Sequence, residues 1–266
     1  MKRVGVAMIK ISSLSLIMIV LFTQAPVFSD EDSLEPEYQV LVKSLVAAFS
    51  TDNREAISKL VRYPLAREYP LPSIDNEKAL LQNFDQIFDK NLTTKIVNSS
   101  ISNDWSAVGW RGIMLGQGLL WMDYDGTIIG VNYQSEAETR LRNDLIDKEK
   151  NSLYSSLRVF EEPVLVGVTD KFIVRIDDLG NLGYRYAVWP KDSQQSSKPD
   201  LILKNGEIVF DGSGGNHYFN FKNGNYVYKV SVIVMGSDED PPGLLEIYKS
   251  DELILTQKIT EFLTPS

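Results

Sequence analysis

The sequence predicts an α+β fold: a helical first domain followed by an antiparallel β-sandwich or open barrel. Three observations predict it. Apolar residues recur at steps of three and four through the first part of the chain, the mark of amphipathic helices. Beyond about residue 155 the pattern switches to period two, with tight-turn dipeptides between the runs. The chain has 266 residues, enough for two domains of about 100–200 residues each.

The first 29 residues read as a secretory leader. Lys2 and Arg3 precede an apolar run from Leu14 to Phe22, and Val27-Phe28-Ser29 ends it. The run is shorter than the roughly 20 apolar residues of a membrane span, so the mature chain is not expected to cross a membrane. The expected division is 1–29 leader, 30–155 first domain and 156–266 second domain.

A first helix is expected over 37–49, because Tyr38, Leu41, Val42, Leu45, Val46 and Phe49 share one face. Asp52 or Asn53 can cap a second helix that presents Ile57, Leu60 and Val61 before Pro64 ends it. A third, after Asp75, carries Leu80, Leu81, Phe84, Ile87 and Phe88. A short helix or turn follows near 91–97. The runs 118–124 and 127–133 flank Asp125-Gly126, a two-residue hairpin signal. A polar helix over about 136–153 closes this half, with Glu138 and Arg142 placed four apart to pair.

In the second half, Phe172, Val174 and Ile176 alternate inward. Residues 184–189 alternate as well. Asn205-Gly206, Asn223-Gly224 and Ser250-Asp251 each read as a hairpin turn. In the strand after Asn223-Gly224, expected over 226–234, Tyr226, Tyr228, Val230, Val232 and Val234 face one way and Lys229 and Ser231 the other, as in a sheet with one wet side.

Composition restricts function more than it assigns it. The chain has no cysteine and one histidine, His217. That excludes a thiol nucleophile, an iron–sulfur cluster, and thiolate or multi-histidine metal sites; no cofactor is expected. An exported chain without a disulfide framework fits a bacterial periplasm, or secretion. Of 27 basic residues, three (Lys2, Arg3 and Lys10) lie in the leader; against 36 acidic ones the mature charge is −12. Nucleic acid, which demands a basic face, is not an expected partner. A protein or envelope component, a basic one included, is compatible with that charge, as is a neutral small molecule.

Two phrases carry a resemblance in the first half: Phe84-Asp85-Gln86-Ile87-Phe88, and the run from Gly112-Ile113-Met114 to Leu119-Leu120-Trp121. They resemble the nuclear-transport-factor-2-like (cone) domain as found in uncharacterised bacterial exported proteins. The resemblance covers about 37–133 and implies helices closed over a curved sheet, making the first domain cone-like. It brings no catalytic motif, because such domains share shape rather than active-site residues.

Within such a cone, Leu119, Trp121 and Asp123 would share a strand face, with Asn132 on the next strand. An aspartate desolvated beside a tryptophan could act as a general base in isomerase or lyase chemistry on a small apolar substrate. An exposed aspartate at the strand end is the competing reading. His217 with Ser213 fails the spacing of a nucleophile elbow, and Gly212-Ser213-Gly214-Gly215 leads into a strand rather than a helix, so it reads as a turn. Asp238, Glu239 and Asp240 form an acidic loop that is either simply solvated or meets a basic partner. Arg185 and Trp189 lie opposite Tyr184 and Tyr186 and are expected outside, where an aromatic surface recognises partners. With His217 and the acidic loop they complete the candidate partner-binding set. The leading expectation is therefore a non-catalytic exported binding protein, with Asp123 catalysis as the alternative.

Overall fold

The computed structural model describes residues 34–212, 214–237 and 239–263. The leader, Ser213 and Asp238 lie outside the described residues. Helix α1 (Pro36–Ser50) buries Val42, Leu45 and Phe49, the stripe its periodicity predicts. Asn53 caps α2 (Arg54–Lys59) by accepting from the Ala56 amide at 3.0 Å. The helix expected after Asp75 is broken at Asn83 into α3 (Glu77–Gln82) and α4 (Phe84–Ile87). Helices α5 (Lys90–Val97) and α6 (Ile101–Asp104) follow.

Four short strands then form an antiparallel meander: β1 (Trp105–Ala107), β2 (Ile113–Leu115), β3 (Leu120–Met122) and β4 (Ile128–Val131). In place of the two-residue turn expected at Asp125-Gly126, the five-residue connection 123–127 joins β3 to β4; the Gly126 amide donates to the Asp123 carbonyl at 3.0 Å, and Gly126 has φ 91°, a value that favours glycine. Phe49, Leu80, Phe84, Phe88, Trp105 and Met122 are among the side chains that fill the space between helices and sheet. The long helix α7 (Glu136–Ser152), capped by Ser135, leads to the second half.

That half is a closed barrel of eight antiparallel strands: β5 (Glu162–Thr169), β6 (Phe172–Asp178), β7 (Tyr184–Pro190), β8 (Leu201–Phe210), β9 (His217–Asn223), β10 (Tyr226–Val232), β11 (Gly243–Lys249) and β12 (Glu252–Phe262). Each strand pairs with the next, and β12 returns to β5. This overturns the expected α+β class with a helical cone-like domain and a sandwich or open barrel: the chain is mostly β, and its larger sheet is closed. Closure satisfies every strand edge within one sheet, which a sandwich cannot do.

One misread dipeptide explains part of the difference. Asn205-Gly206 is not a hairpin turn. It lies inside β8, where Asn205 takes φ 58° and the pairing with β7 slips. Before the slip, Leu201 and Leu203 pair with β7; after it, Glu207 to Phe210 pair with β9. A left-handed residue in a bulge bends the strand instead of reversing it. A Cβ on Gly206 would stand 2.1 Å from the Phe221 ring, so the bend also requires glycine. Ser250-Asp251 joins β11 to β12 as its sequence predicts, whereas β9 and β10 are joined by Gly224-Asn225, one residue later than the expected Asn223-Gly224, because Asn223 still pairs with Tyr226.

Alternation sends Val174, Ile176, Tyr186, Phe219, Phe221 and Val230 into the barrel, which they fill. No helix among the described residues is long and apolar enough to cross a membrane.

Candidate functional site

Up-and-down strand order places the connections 179–183, 211–216 and 233–242 at one end of the barrel, together with the start of β5 and the end of β12. The segment 66–71 of the first half lies over that end. Two clefts run between them. One, of about 400 Å³, is walled by Leu71, Val164, Val166, Val232 and Phe262. The other, of about 360 Å³, reaches Tyr184 and Phe219 and is bordered by Glu68, Glu162 and Asp178. Tyr69, Val164 and His217 line both, so the two are contiguous.

Three ionic contacts hold the roof in place. Arg67 packs with only 4% of its side chain exposed against Glu138 of α7, itself at 5%, at 2.6 Å. The Arg67 guanidinium also donates to the Val131 and Tyr133 carbonyls. Arg142 of α7 donates to the Tyr69 carbonyl at 3.0 Å and bridges Glu68 and Glu162 at 3.1 and 2.7 Å. The expected pairing of Glu138 with Arg142 is thus replaced: both sit on the buried face of α7, and each finds a partner outside the helix.

Behind the roof the Tyr69 hydroxyl donates to Glu149. Glu149 meets Arg175 at 3.2 Å, Arg175 meets Asp177 at 2.7 Å, and Asp177 meets Arg185 at 2.6 Å. Burial, reinforced by the Glu149 charge, pushes the Tyr69 hydroxyl far above the ordinary phenol range. Burial alone would lower the Arg175 guanidinium, but Asp177 and Glu149 outweigh it and raise it.

The Tyr69 shift gives a signed prediction. A folded-state pKa above the unfolded value of about 10 means that the fold favours the protonated phenol. That stability is complete below pH 10 and is lost as pH climbs above it. Tyr69→Phe should cost about 1.5–3 kcal/mol at pH 7, the range for a hydrogen bond to a charged group. The gap to the parent protein should narrow above pH 10. Urea unfolding of both proteins at pH 7 and pH 10.5 checks this; a gap that widens with pH refutes it.

The structure separates the sequence-derived candidates. Trp121 and Asp123 do not face the core: Leu120 and Met122 are the buried residues of β3. Asp123 stands at the hairpin turn, half-exposed, paired with Arg62 at 2.6 Å and accepting from the Tyr124 amide. Asn132 borders a different, largely polar cleft of about 430 Å³ with Ala66, Arg67 and Glu68. Its amide donates to the Gly118 carbonyl at 2.9 Å. The three are not brought together into one pocket.

Arg185 and Trp189, expected outside, are 2% and 0% exposed. They do lie opposite Tyr184 and Tyr186, but that barrel face is dry. Ile146, Leu153, Leu157 and Phe160 pack on Ala187 and Trp189 as a separate core. The Trp189 indole donates to the Ser197 carbonyl at 2.9 Å, and Arg185 donates to the Leu157 and Val159 carbonyls. Both residues hold the covering segment on the barrel.

His217 is the candidate that does reach the clefts. Its Nδ1 lies 2.8 Å from the Gly215 carbonyl, and its ring packs near Phe210 and Phe219. Glu239 and Asp240 are exposed in the β10–β11 connection. Asp240 is held below the ordinary carboxylate range by bonds from the Ser237 amide and hydroxyl. Sequence reading missed the roof 66–71 altogether, since its Arg-Glu-Tyr carries no periodicity. No protein-family model, curated protein or solved structure matches the chain.

Proposed function

We propose that the chain is an exported, non-catalytic binding protein, and that its site is the barrel mouth beneath the segment 66–71. The observation that carries this reading is the contiguous pair of clefts of about 400 and 360 Å³. Ligand sites concentrate in the mouths of β-barrels and combine apolar walls with a few convergent polar groups. Both features occur here, in a volume fit for a small molecule. The barrel interior is filled, so the ligand is held at the mouth rather than swallowed. Export rests on the leader 1–29, and the periplasm on the absence of cysteine.

Ala66 lines the larger cleft and is itself exposed. A tryptophan there fills the cleft without entering a core. The neutral fluorophore N-phenyl-1-naphthylamine should bind saturably to the parent protein. Ala66→Trp should weaken it at least about tenfold, the scale of about 1.4 kcal/mol, with the melting temperature unchanged. Non-saturable binding by the parent, or equal affinity in the variant, overturns the site.

A further inference from the structure

We infer that the barrel mouth selects a small amphipathic ammonium, with an apolar body in the larger cleft and a hydrogen-bond-donating cationic head in the smaller. This rests on the barrel-mouth reading above and names its ligand class.

The two clefts differ in kind. The larger is walled by aliphatic and aromatic side chains, Leu71, Val164, Val232 and Phe262 among them. The smaller is bordered by Glu68, Glu162 and Asp178, with one cationic side chain, Arg142. Three carboxylates against one guanidinium give this pole a negative balance.

Hydrogen-bond sense points the same way. Arg142 directs Nε to the Tyr69 carbonyl, Nη1 to Glu162 and Nη2 to Glu68. Arg67, at the edge of the larger cleft, is likewise engaged by Glu138, Val131 and Tyr133. A carbonyl can only accept, so the His217 Nδ1 facing Gly215 carries the ring proton, which leaves Nε2 an acceptor in the neutral ring. Carboxylates also accept only, each at up to about four lone-pair sites. The carboxylates thus leave acceptor capacity open at this pole, and although the Tyr184 hydroxyl lining it can donate, the net negative charge decides which ligand is favoured. A ligand that donates and carries positive charge satisfies the carboxylates; an anionic ligand meets their like charge.

The walls agree. Tyr184 and Phe219 line the smaller cleft, and aromatic faces attract an organic cation through their quadrupoles. A pure hydrocarbon would strip water from the carboxylates without replacing its hydrogen bonds.

Three probes with one apolar body separate the possibilities: naphthylmethylammonium, naphthylmethanol and naphthoate, each titrated calorimetrically into the full mature chain. The ammonium should bind at least about tenfold tighter than the alcohol, the lower end for a charge-assisted bond, and naphthoate should bind weakest. Asp178→Asn and, separately, Glu162→Gln should each reduce the ratio of ammonium to alcohol affinity. Asp178 has no ion-pair partner among the described residues, so its variant spares the Arg142 bridge that Glu162→Gln disturbs. Equal binding of all three probes overturns the ligand class and leaves the barrel-mouth site standing. An ammonium preference that survives both variants also overturns the class, as does competition by calcium alone at matching affinity. If no probe binds, the barrel-mouth site falls with it.

Discussion

Replacing Asp177 by alanine should lower the unfolding free energy by about 3–5 kcal/mol, the range for breaking a buried ion pair from one side. Asp177 is fully buried between two guanidinium groups, accepting from Arg175 at 2.7 Å and from Arg185 at 2.6 Å. Those arginines are themselves 1% and 2% exposed. Without the carboxylate, Arg175 keeps Glu149, but Arg185 retains only the Leu157 and Val159 carbonyls. An isolated buried charge is far more costly than a pair removed whole. Asparagine is a poor rescue, because it turns an NH₂ donor toward a guanidinium that can only donate. The measurement is urea unfolding: the midpoint should fall with little change in slope. A loss below about 1 kcal/mol would mean that these arginines find water or other acceptors in the folded state. The consequence is also local. The Phe160 ring lies over Arg175 and Arg185 at 5.2 and 5.8 Å, so amides of 153–160 should lose hydrogen-exchange protection before those of the barrel interior.

That cluster shows what the sequence could and could not reveal. Alternation in β6 and β7 correctly separates Tyr184 and Tyr186 from Arg185 and Trp189. It reports which residues share a face, but not whether that face is wet. Charge suggested water. The cover over this face comes from Ile146, Leu153, Leu157 and Phe160, in a stretch whose mean polarity hides its few apolar contacts. The helix stripe of α1 and the cap at Asn53 were legible because each is decided within a few residues. So were the turn at Ser250-Asp251 and, one residue off, the hairpin that turns at Gly224-Asn225. Barrel closure was not, because it depends on β12 meeting β5, seen where Phe262 pairs with Gly167. Nor was the site: its roof is fixed by Arg67 and Glu138, 71 positions apart. Of the proposed site residues, only His217 was singled out in advance, for being the sole histidine.

The Arg67–Glu138 pair supplies the second large effect and bears directly on the site. Arg67→Met alone should cost about 3–5 kcal/mol, because it strands a carboxylate that is 5% exposed. Glu138→Leu alone should cost a comparable amount by stranding the guanidinium. The double variant should be markedly more stable than either, since two apolar side chains of similar volume can replace a buried pair at little penalty. Recovery will not be complete. Arg67 also donates to the Val131 and Tyr133 carbonyls, and a buried acceptor left unmade costs about 1–3 kcal/mol. The coupling energy from the four-protein cycle isolates the pair from those carbonyl bonds. Ligand affinity should follow the same order, because this pair sets the position of 66–71 over the barrel. N-phenyl-1-naphthylamine should bind weakly to each single variant and recover in the double, although neither substituted group needs to touch it. Equal stability of single and double variants would show that the pair does not hold the roof. Recovered stability without recovered binding would show that the carbonyl bonds, rather than the ion pair, shape the mouth.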